Sequence, residues 1–370
     1  MRKIRQVDGV LLGTIAVLII VGIVMTYSSS VVKGYLYYND PYHFFKMELL
    51  WVVLGIVAMS IAVLINWRVL YKWSKPLLYI GLVMLLLVKI PGIGRTVNGA
   101  DRWIGIGPLS IQPSEAIKLA MVIFVAKMLS QNPRSIASFR NGVAPILLLM
   151  GFSAGLIMLQ PDLGTTLVLV GVTFFMLIAA GARVWHIFAL GGSALLLVIG
   201  AIVAAPYRMR RIFAFLDPWA DPSGKGYQTI QSLLALGPGG LFGLGLGQSR
   251  QKFLYLPENH TDFIFAMIGE ELGFIGAFLV VLLFFLVIWR GFRTAIYAPN
   301  VFLCLLAVGL TSLIGIQAMI NMGVVTGVLP VTGITLPFLS YGGTSLVFTM
   351  TGAGLLLNVS SVSGRDGEVL

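Results

Sequence analysis

Long apolar runs, broken by short polar or glycine- and proline-rich segments, fill the chain from end to end. Runs of about 16 to 25 mostly apolar residues lie near 10–27, 47–65, 76–90, 115–129, 143–160, 165–180, 186–205, 264–289, 301–320 and 342–359, each able to cross a bilayer as a helix. The pattern predicts an all-α polytopic membrane protein with about ten transmembrane helices. Nothing resembles a linker, so residues 1–370 read as a single integral membrane domain. Three segments depart from the pattern. Residues 91–114, rich in Gly and Pro, suit a structured re-entrant or interfacial loop. Residues 206–263 form one long loop. Residues 321–341 are too apolar for an aqueous loop yet broken by Gly323, Gly327, Pro330, Gly333 and Pro337, which predicts irregular backbone dipping into the membrane.

Composition agrees: 58% of the residues are hydrophobic and only 11% charged, where soluble domains carry roughly a quarter charged residues. Arg2, Lys3 and Arg5 precede the first run as in a signal peptide, but its length and the spans that follow predict a retained first helix. Arg68, Lys72, Lys75, Lys127, Arg134, Arg140, Arg183, Arg290 and Arg293 fall in short segments on the side of the N-terminus, which the positive-inside rule assigns to the cytoplasm. Both termini are then expected to be cytoplasmic. The basic exception is 206–263, a large extracytoplasmic loop between helices 7 and 8. All three irregular segments share that outer side, which predicts an outward-facing cavity. A single cysteine, Cys304, excludes an internal disulfide and a Cys-rich metal site. The net charge of +11 suits anionic lipid head groups, and nothing points to nucleic acid.

Ionisable residues at membrane depth are costly and mark candidate sites. Glu115 and Lys118, in QPSEAIK, are three apart on one helix face and can pair; Asp162, in QPDLGTT, follows a proline at the outer end of the fifth span. These residues fit either an ion network that locks helices together or direct contact with a substrate. Arg208, Arg210 and Arg211 alternate with apolar residues at the start of the long loop. That pattern fits an amphipathic segment on the outer leaflet or a site for phosphate groups, which guanidinium binds well; a phosphate-bearing lipid satisfies both. Gly237, Gly239, Gly240, Gly243, Gly245 and Gly247 lack the Lys-Ser/Thr ending of a phosphate-binding loop and follow no strand. They predict a surface segment that bends and packs closely.

The stretch LPENHTDFIFAMIGEELGF, 256–274, concentrates Glu258, His260, Asp262, Glu270 and Glu271 at the mouth of an apolar run. A helix beginning near Pro257 would put Asp262 one turn from Glu258, with Glu270 deeper on a related face. Negative charge near a helix N-terminus is favourable, which suffices for Glu258. Asp262, between Thr261 and Phe263-Ile264-Phe265, sits where desolvation raises a carboxylate's pKa and a nearby Arg can bring it back toward neutrality, the tuning a general base needs.

These blocks together resemble the SEDS family (shape, elongation, division and sporulation), polytopic peptidoglycan glycosyltransferases. The resemblance covers nearly the whole chain: DRWIGIGPLSIQPSEAIKLA, QPDLGTT, APYRMRRI with FLDPWADPSGKGYQTIQSLLALGPGGLFGLGLGQSRQKFLYLPE, HTDFIFAMIGEELGFIG, and NMGVVTGVLPVTGITLPFLSYGGTS. QSRQKFLYLPE and the short tails look most like the division and sporulation branch; Asn259-His260 is a local departure. The resemblance implies polymerisation of lipid II at the outer face of the cytoplasmic membrane. Asp262 stands at the position of the family's catalytic aspartate, and Trp103, Glu115, Lys118 and Asp162 at other sensitive positions, with Glu115 and Lys118 as a salt bridge in the cavity. It also implies a class B penicillin-binding protein, a transpeptidase, as partner. Mg²⁺ or Mn²⁺ is compatible with the family, although the sequence has no dedicated ligand cluster; no organic cofactor is expected. The expected chemistry is an inverting transfer in which Asp262 activates the acceptor 4-hydroxyl, undecaprenyl pyrophosphate leaves, and Arg208, Arg210 and Arg211 stabilise its charge. Glu270 and Glu271 would support the site or the packing of the helix. The rival reading is a lipid II flippase without polymerase activity, since interrupted helices and intramembrane charges are also transporter traits. A scaffold that only recruits the transpeptidase would leave Asp262 unexplained.

Overall fold

The computed structural model describes residues 7–363, apart from 91, 98–99, 107–108, 184, 187–191, 193–195, 197–198, 201–202, 204–205 and 225. The described helices are α1 (Gly9–Tyr38), α2 (His43–Leu64), α3 (Trp67–Leu87), α4 (Pro113–Gln131), α5 (Ala144–Met158), α6 (Leu163–Ala179), α7 (Pro206–Leu216), α8 (Tyr227–Gly239), α9 (Ile264–Ile296), α10 (Val301–Val325) and α11 (Thr344–Ser363). Seven helical stretches among the described residues are long and apolar enough to cross a membrane, and α6, with 17 residues, is a shorter apolar one. The helix α4 completes the set at the expected positions, although Glu115, Lys118 and Lys127 lower its hydropathy. The seventh expected span, 186–205, lies largely outside the described residues.

Local chemistry explains several helix ends. Asp8 caps α1 by accepting from Leu11 N, while Arg290 Nε donates to Asp8 Oδ2 at 2.8 Å, tying the start of α1 to the far end of α9. Asp162 caps α6 through Thr165 N, and Asn300 caps α10 through Leu303 N, each satisfying a donor that the first helical turn leaves free. At 30 residues, α1 runs about 45 Å, longer than the roughly 30 Å hydrocarbon core. Its excess ends in an aromatic cluster: Tyr38 stacks on His43, and Phe44 reaches His260 and Tyr341.

The helix α10 is the most enclosed span and α9 the least. Around α10 pack α4, α6, α9 and α11, and α2 lies against α11. The segment 91–114, expected as a re-entrant or interfacial loop, contains a small antiparallel sheet of order β1-β2-β3, with β1 Gly94–Val97, β2 Ala100–Ile106 and β3 Leu109–Ile111. Arg95 pairs with Trp103 and Ile104 with Ile111. The sheet closes the backbone hydrogen bonds of a segment whose glycines disfavour a helix. The long segment 206–263 is likewise ordered where described. It holds α7 and α8, and Ser232 Oγ on α8 donates to Val325 O at the end of α10 at 2.7 Å.

Candidate active site

The stretch after α8 is built by a broken helix. Within α9, Gly273 takes φ 68 and ψ −166, a region open essentially to glycine alone. The break frees backbone groups that the glycine-rich segment then satisfies. Leu244 N and Gly245 N donate to the carbonyls of Glu270 and Glu271 at 2.9 and 3.0 Å, while Phe274 N and Ile275 N donate to Gly240 O and Leu241 O at 2.8 and 3.1 Å. Such close approach needs glycine, because a Cβ on Gly243 would lie 2.1 Å from Glu271 O. The bending and close packing expected of this segment are therefore present.

Side chains reinforce the junction. Glu270 accepts from Ser249 Oγ at 2.5 Å and Arg250 N at 2.8 Å, and Glu271 accepts from Ser28 Oγ on α1 at 2.7 Å. They act in packing, as the sequence suggested. The helix does not begin near Pro257, however. Glu258 has φ 52, residues 250–263 run in turns, and α9 starts at Ile264. Thr261 N and Phe263 N both donate to Glu258 O, winding the chain into a tight loop that delivers Asp262 ahead of the helix rather than along its face.

Asp262 is held by its backbone. Asn321 Nδ2, from α10, donates to Asp262 O and Ile334 O, both at 2.7 Å, and Ser340 Oγ donates to Thr261 O at 2.6 Å. The irregular segment between α10 and α11, expected over 321–341, begins after Val325 and cradles the loop: a Cβ on Gly333 would stand 3.6 Å from Asp262 Oδ2. The carboxyl itself accepts no hydrogen bond from the described residues. Its pKa is pushed up to about 7, first by burial and then by Glu258 and Asp162, against the opposing pull of Arg102. Nearby His260 is a poor base. Burial and the charge of Lys33 hold its imidazole down to about 3. Because Asn259 Nδ2 donates to Ser29 O, Asn259 Oδ1 is left to accept from His260 Nδ1 at 3.1 Å.

Beside this loop lies a small polar crevice lined by Gln112, Glu115, Lys118, Thr165, Gln317 and Gly333, among others. Lys118 Nζ donates to Glu115 Oε1 at 2.7 Å and to Gln317 Oε1 at 3.1 Å, and Gln317 Nε2 donates to Thr335 O at 3.1 Å. Glu115 and Lys118 therefore pair. Asp162 devotes both oxygens to Thr165, its backbone N and its Oγ1. The structure thus gathers Asp262, Glu115, Lys118 and Asp162 around residues 332–335. Trp103 is half-buried on β2 opposite Arg95 and does not line this crevice. Of the arginine cluster on α7, Arg210 is exposed, and the side chains of Arg208 and Arg211 lie outside what the structure describes.

Sequence reasoning missed three contributors. Gln317 and Asn321 lie one turn apart on apolar α10, a spacing that shares a face, and this signal was available. Arg102 was visible only as the neighbour of Trp103; its role depends on strand β2 meeting the turn before α6. As for a divalent cation, no three His, Cys, Asp or Glu side chains cluster among the described residues, and each oxygen of Asp162 accepts a hydrogen bond from Thr165. Among the described residues no group of side chains forms a dedicated Mg²⁺ or Mn²⁺ site, and an ion carried by substrate phosphates needs only one or two carboxylates.

A helical polytopic membrane protein that holds a tuned, unpartnered carboxyl beside a polar crevice is the class that fold and site define. The chain matches the cell cycle protein family of FtsW, RodA and SpoVE over residues 9–364, and it belongs to that family. It is 51% identical over 346 residues to stage V sporulation protein E of Bacillus subtilis (strain 168), covering 94% of each chain. Over 361 residues it is 43% identical to a probable peptidoglycan glycosyltransferase FtsW of Geobacter sp. (strain M18), covering 98% of each. Its fold superposes with a TM-score of 0.81, at 32% identity and covering 98% of this chain and 99% of the other, on a solved chain described under structural coordination of polymerization and crosslinking by a peptidoglycan synthase complex. The rod shape determining protein RodA of Thermus thermophilus follows at a TM-score of 0.72 and 29% identity, covering 98% of this chain and 97% of RodA.

Proposed function

We propose that this chain, a peptidoglycan glycosyltransferase of its family, polymerises lipid II into glycan at the outer face of the cytoplasmic membrane with Asp262 as general base. Both termini face the cytoplasm in this reading, and a class B penicillin-binding protein is its partner; the synthase complex among the structural neighbours supports such an assembly. One observation carries the mechanism: a carboxyl with a pKa near 7, free of hydrogen bonds among the described residues, on a loop whose backbone is fixed from two sides.

The ionised Asp262 takes the proton of the acceptor 4-hydroxyl as that oxygen forms a bond to the anomeric carbon of the donor. The anomeric carbon–oxygen bond to phosphate breaks, and its electron pair leaves with undecaprenyl pyrophosphate, inverting the centre. A pyrophosphate needs no general acid to depart, so one carboxylate suffices, unlike glycoside hydrolysis with its flanking pair. The Glu115–Lys118–Gln317 network keeps the crevice polar and fixes the segment carrying Gly333. Arg208, Arg210 and Arg211 on α7 meet the substrate's phosphates, and membrane lipids, at the leaflet surface.

The test is glycan synthesis from lipid II by the purified protein, with and without its transpeptidase partner. Polymer from the wild type, and a loss of about 10²- to 10⁴-fold for a folded Asp262→Asn variant, is the expected result. Full activity in that variant removes Asp262 as the base; no polymer from the wild type turns the reading toward lipid translocation.

A further inference from the structure

Arg102 on β2 reaches across to the turn before α6. Its Nε donates to Gln160 O at 2.9 Å and its Nη2 to Pro161 O at 2.6 Å. Those two bonds fix one edge of the guanidinium, and the remaining N–H groups have no partner among the described residues. No carboxylate of a described residue lies within ion-pair distance of it. The turn that it holds runs directly into Asp162 and Gly164, and a Cβ on Gly164 would meet the Ile334 side chain at 2.7 Å and Thr332 O at 3.0 Å. Gly333, between them, adjoins Asp262. Arg102 therefore stands on the same rim as the base, with no ion-pair partner among the described residues. Pinning two carbonyls does not require a charge. A half-buried guanidinium, oriented on one edge and open on the other, is suited to two parallel hydrogen bonds to phosphate oxygens.

We propose that Arg102 forms the diphosphate subsite of the active site, binding the polyprenyl pyrophosphate of the donor and of the departing product beside Asp262. This rests on the lipid II reading above and deepens it. As the anomeric carbon–oxygen bond breaks, negative charge grows on the phosphate oxygen, and a cation fixed beforehand stabilises it without reorganising. The α7 arginines then meet phosphate at the membrane surface, whereas Arg102 holds it at the reacting bond.

The experiment uses the purified full-length protein and its Arg102→Gln, Arg102→Lys and Asp262→Asn variants, with thermal unfolding to confirm that each is folded. Binding is measured with undecaprenyl pyrophosphate and, separately, with phosphatidylglycerol, so that a diphosphate site is distinguished from a general anionic-lipid site. Arg102→Gln is expected to weaken undecaprenyl pyrophosphate binding about 10- to 100-fold with little change for phosphatidylglycerol. Arg102→Lys should recover part of that affinity, and Asp262→Asn should bind as the wild type does while making no polymer. Unchanged diphosphate affinity in folded Arg102→Gln, or an equal loss for both lipids, overturns the subsite. Because binding is read without turnover, an inactive wild type would defeat the polymerase reading and still leave the Arg102 measurement to be judged separately.

Discussion

Two acidic regions eight or nine residues apart in sequence, Asp262 and the pair Glu270–Glu271, live in opposite circumstances. The deep pair is enclosed and fully engaged by neutral donors, Ser28, Ser249 and the Arg250 backbone, which together hold the break in α9 shut. At the rim, Asp262 has its backbone fixed and its carboxyl unengaged. A carboxylate with both oxygens accepting hydrogen bonds serves as a structural joint, whereas one denied partners and pushed toward neutrality is poised to move a proton. The start of α9 separates the two roles: Asp262 sits in the turn before Ile264, whereas Glu270 and Glu271 lie within the helix just ahead of its break at Gly273.

Breaking the deep region should have the largest effect. Gly273→Ala places a Cβ 2.3 Å from Gly243 N in a backbone conformation reserved for glycine. The cost should exceed about 3 kcal/mol, seen as a fall of several degrees in Tm in detergent. An unchanged Tm would mean that the junction tolerates a continuous helix.

The rim responds to pH instead. With Glu258 in its own loop, Asp162 at the start of α6 and Arg102 on β2 setting the pKa of Asp262 near 7, the polymerisation rate should fall about tenfold per pH unit on the acid side and level off above neutrality. A flat profile between pH 5 and 8 would separate Asp262 from proton transfer.

The smallest effect is on stability. Asp262 has a folded pKa raised above its unfolded value of about 3.9. The stability that it contributes by keeping its proton is present below that unfolded value and is lost as pH rises through about 7. Asp262→Asn should therefore gain in Tm relative to the wild type between pH 5 and pH 8. A difference between the two proteins that stays constant across that range would contradict the raised pKa.

Much of this was legible in the chain. Apolar run length alone located the described spans, because a bilayer admits few structures besides helices of the right length. The scarcity of charge made Glu115, Lys118, Asp162 and Asp262 conspicuous. Less legible was the start of α9, since Pro257 is a good first helical residue and nothing local reveals that Glu258 adopts a left-handed backbone. The sheet at 94–111 was hidden for a similar reason: glycine-rich sequence predicts a break but not the partner strand that satisfies it.

By itself the sequence determined the membrane class, the order of the spans and the acids that could carry chemistry, because these follow from hydropathy and from the cost of charge in hydrocarbon. Tertiary structure alone decided which acids are free. Asp162 is occupied by Thr165, Glu115 by Lys118, and Glu270 with Glu271 by serines and backbone amides, while Asp262 is left open with Arg102 on the same rim. Hydrogen-bond partners drawn from Ser28, Arg102, Asn321 and Ser340 are remote in sequence, and only the packed chain brings them within the roughly 3 Å at which a hydrogen bond forms.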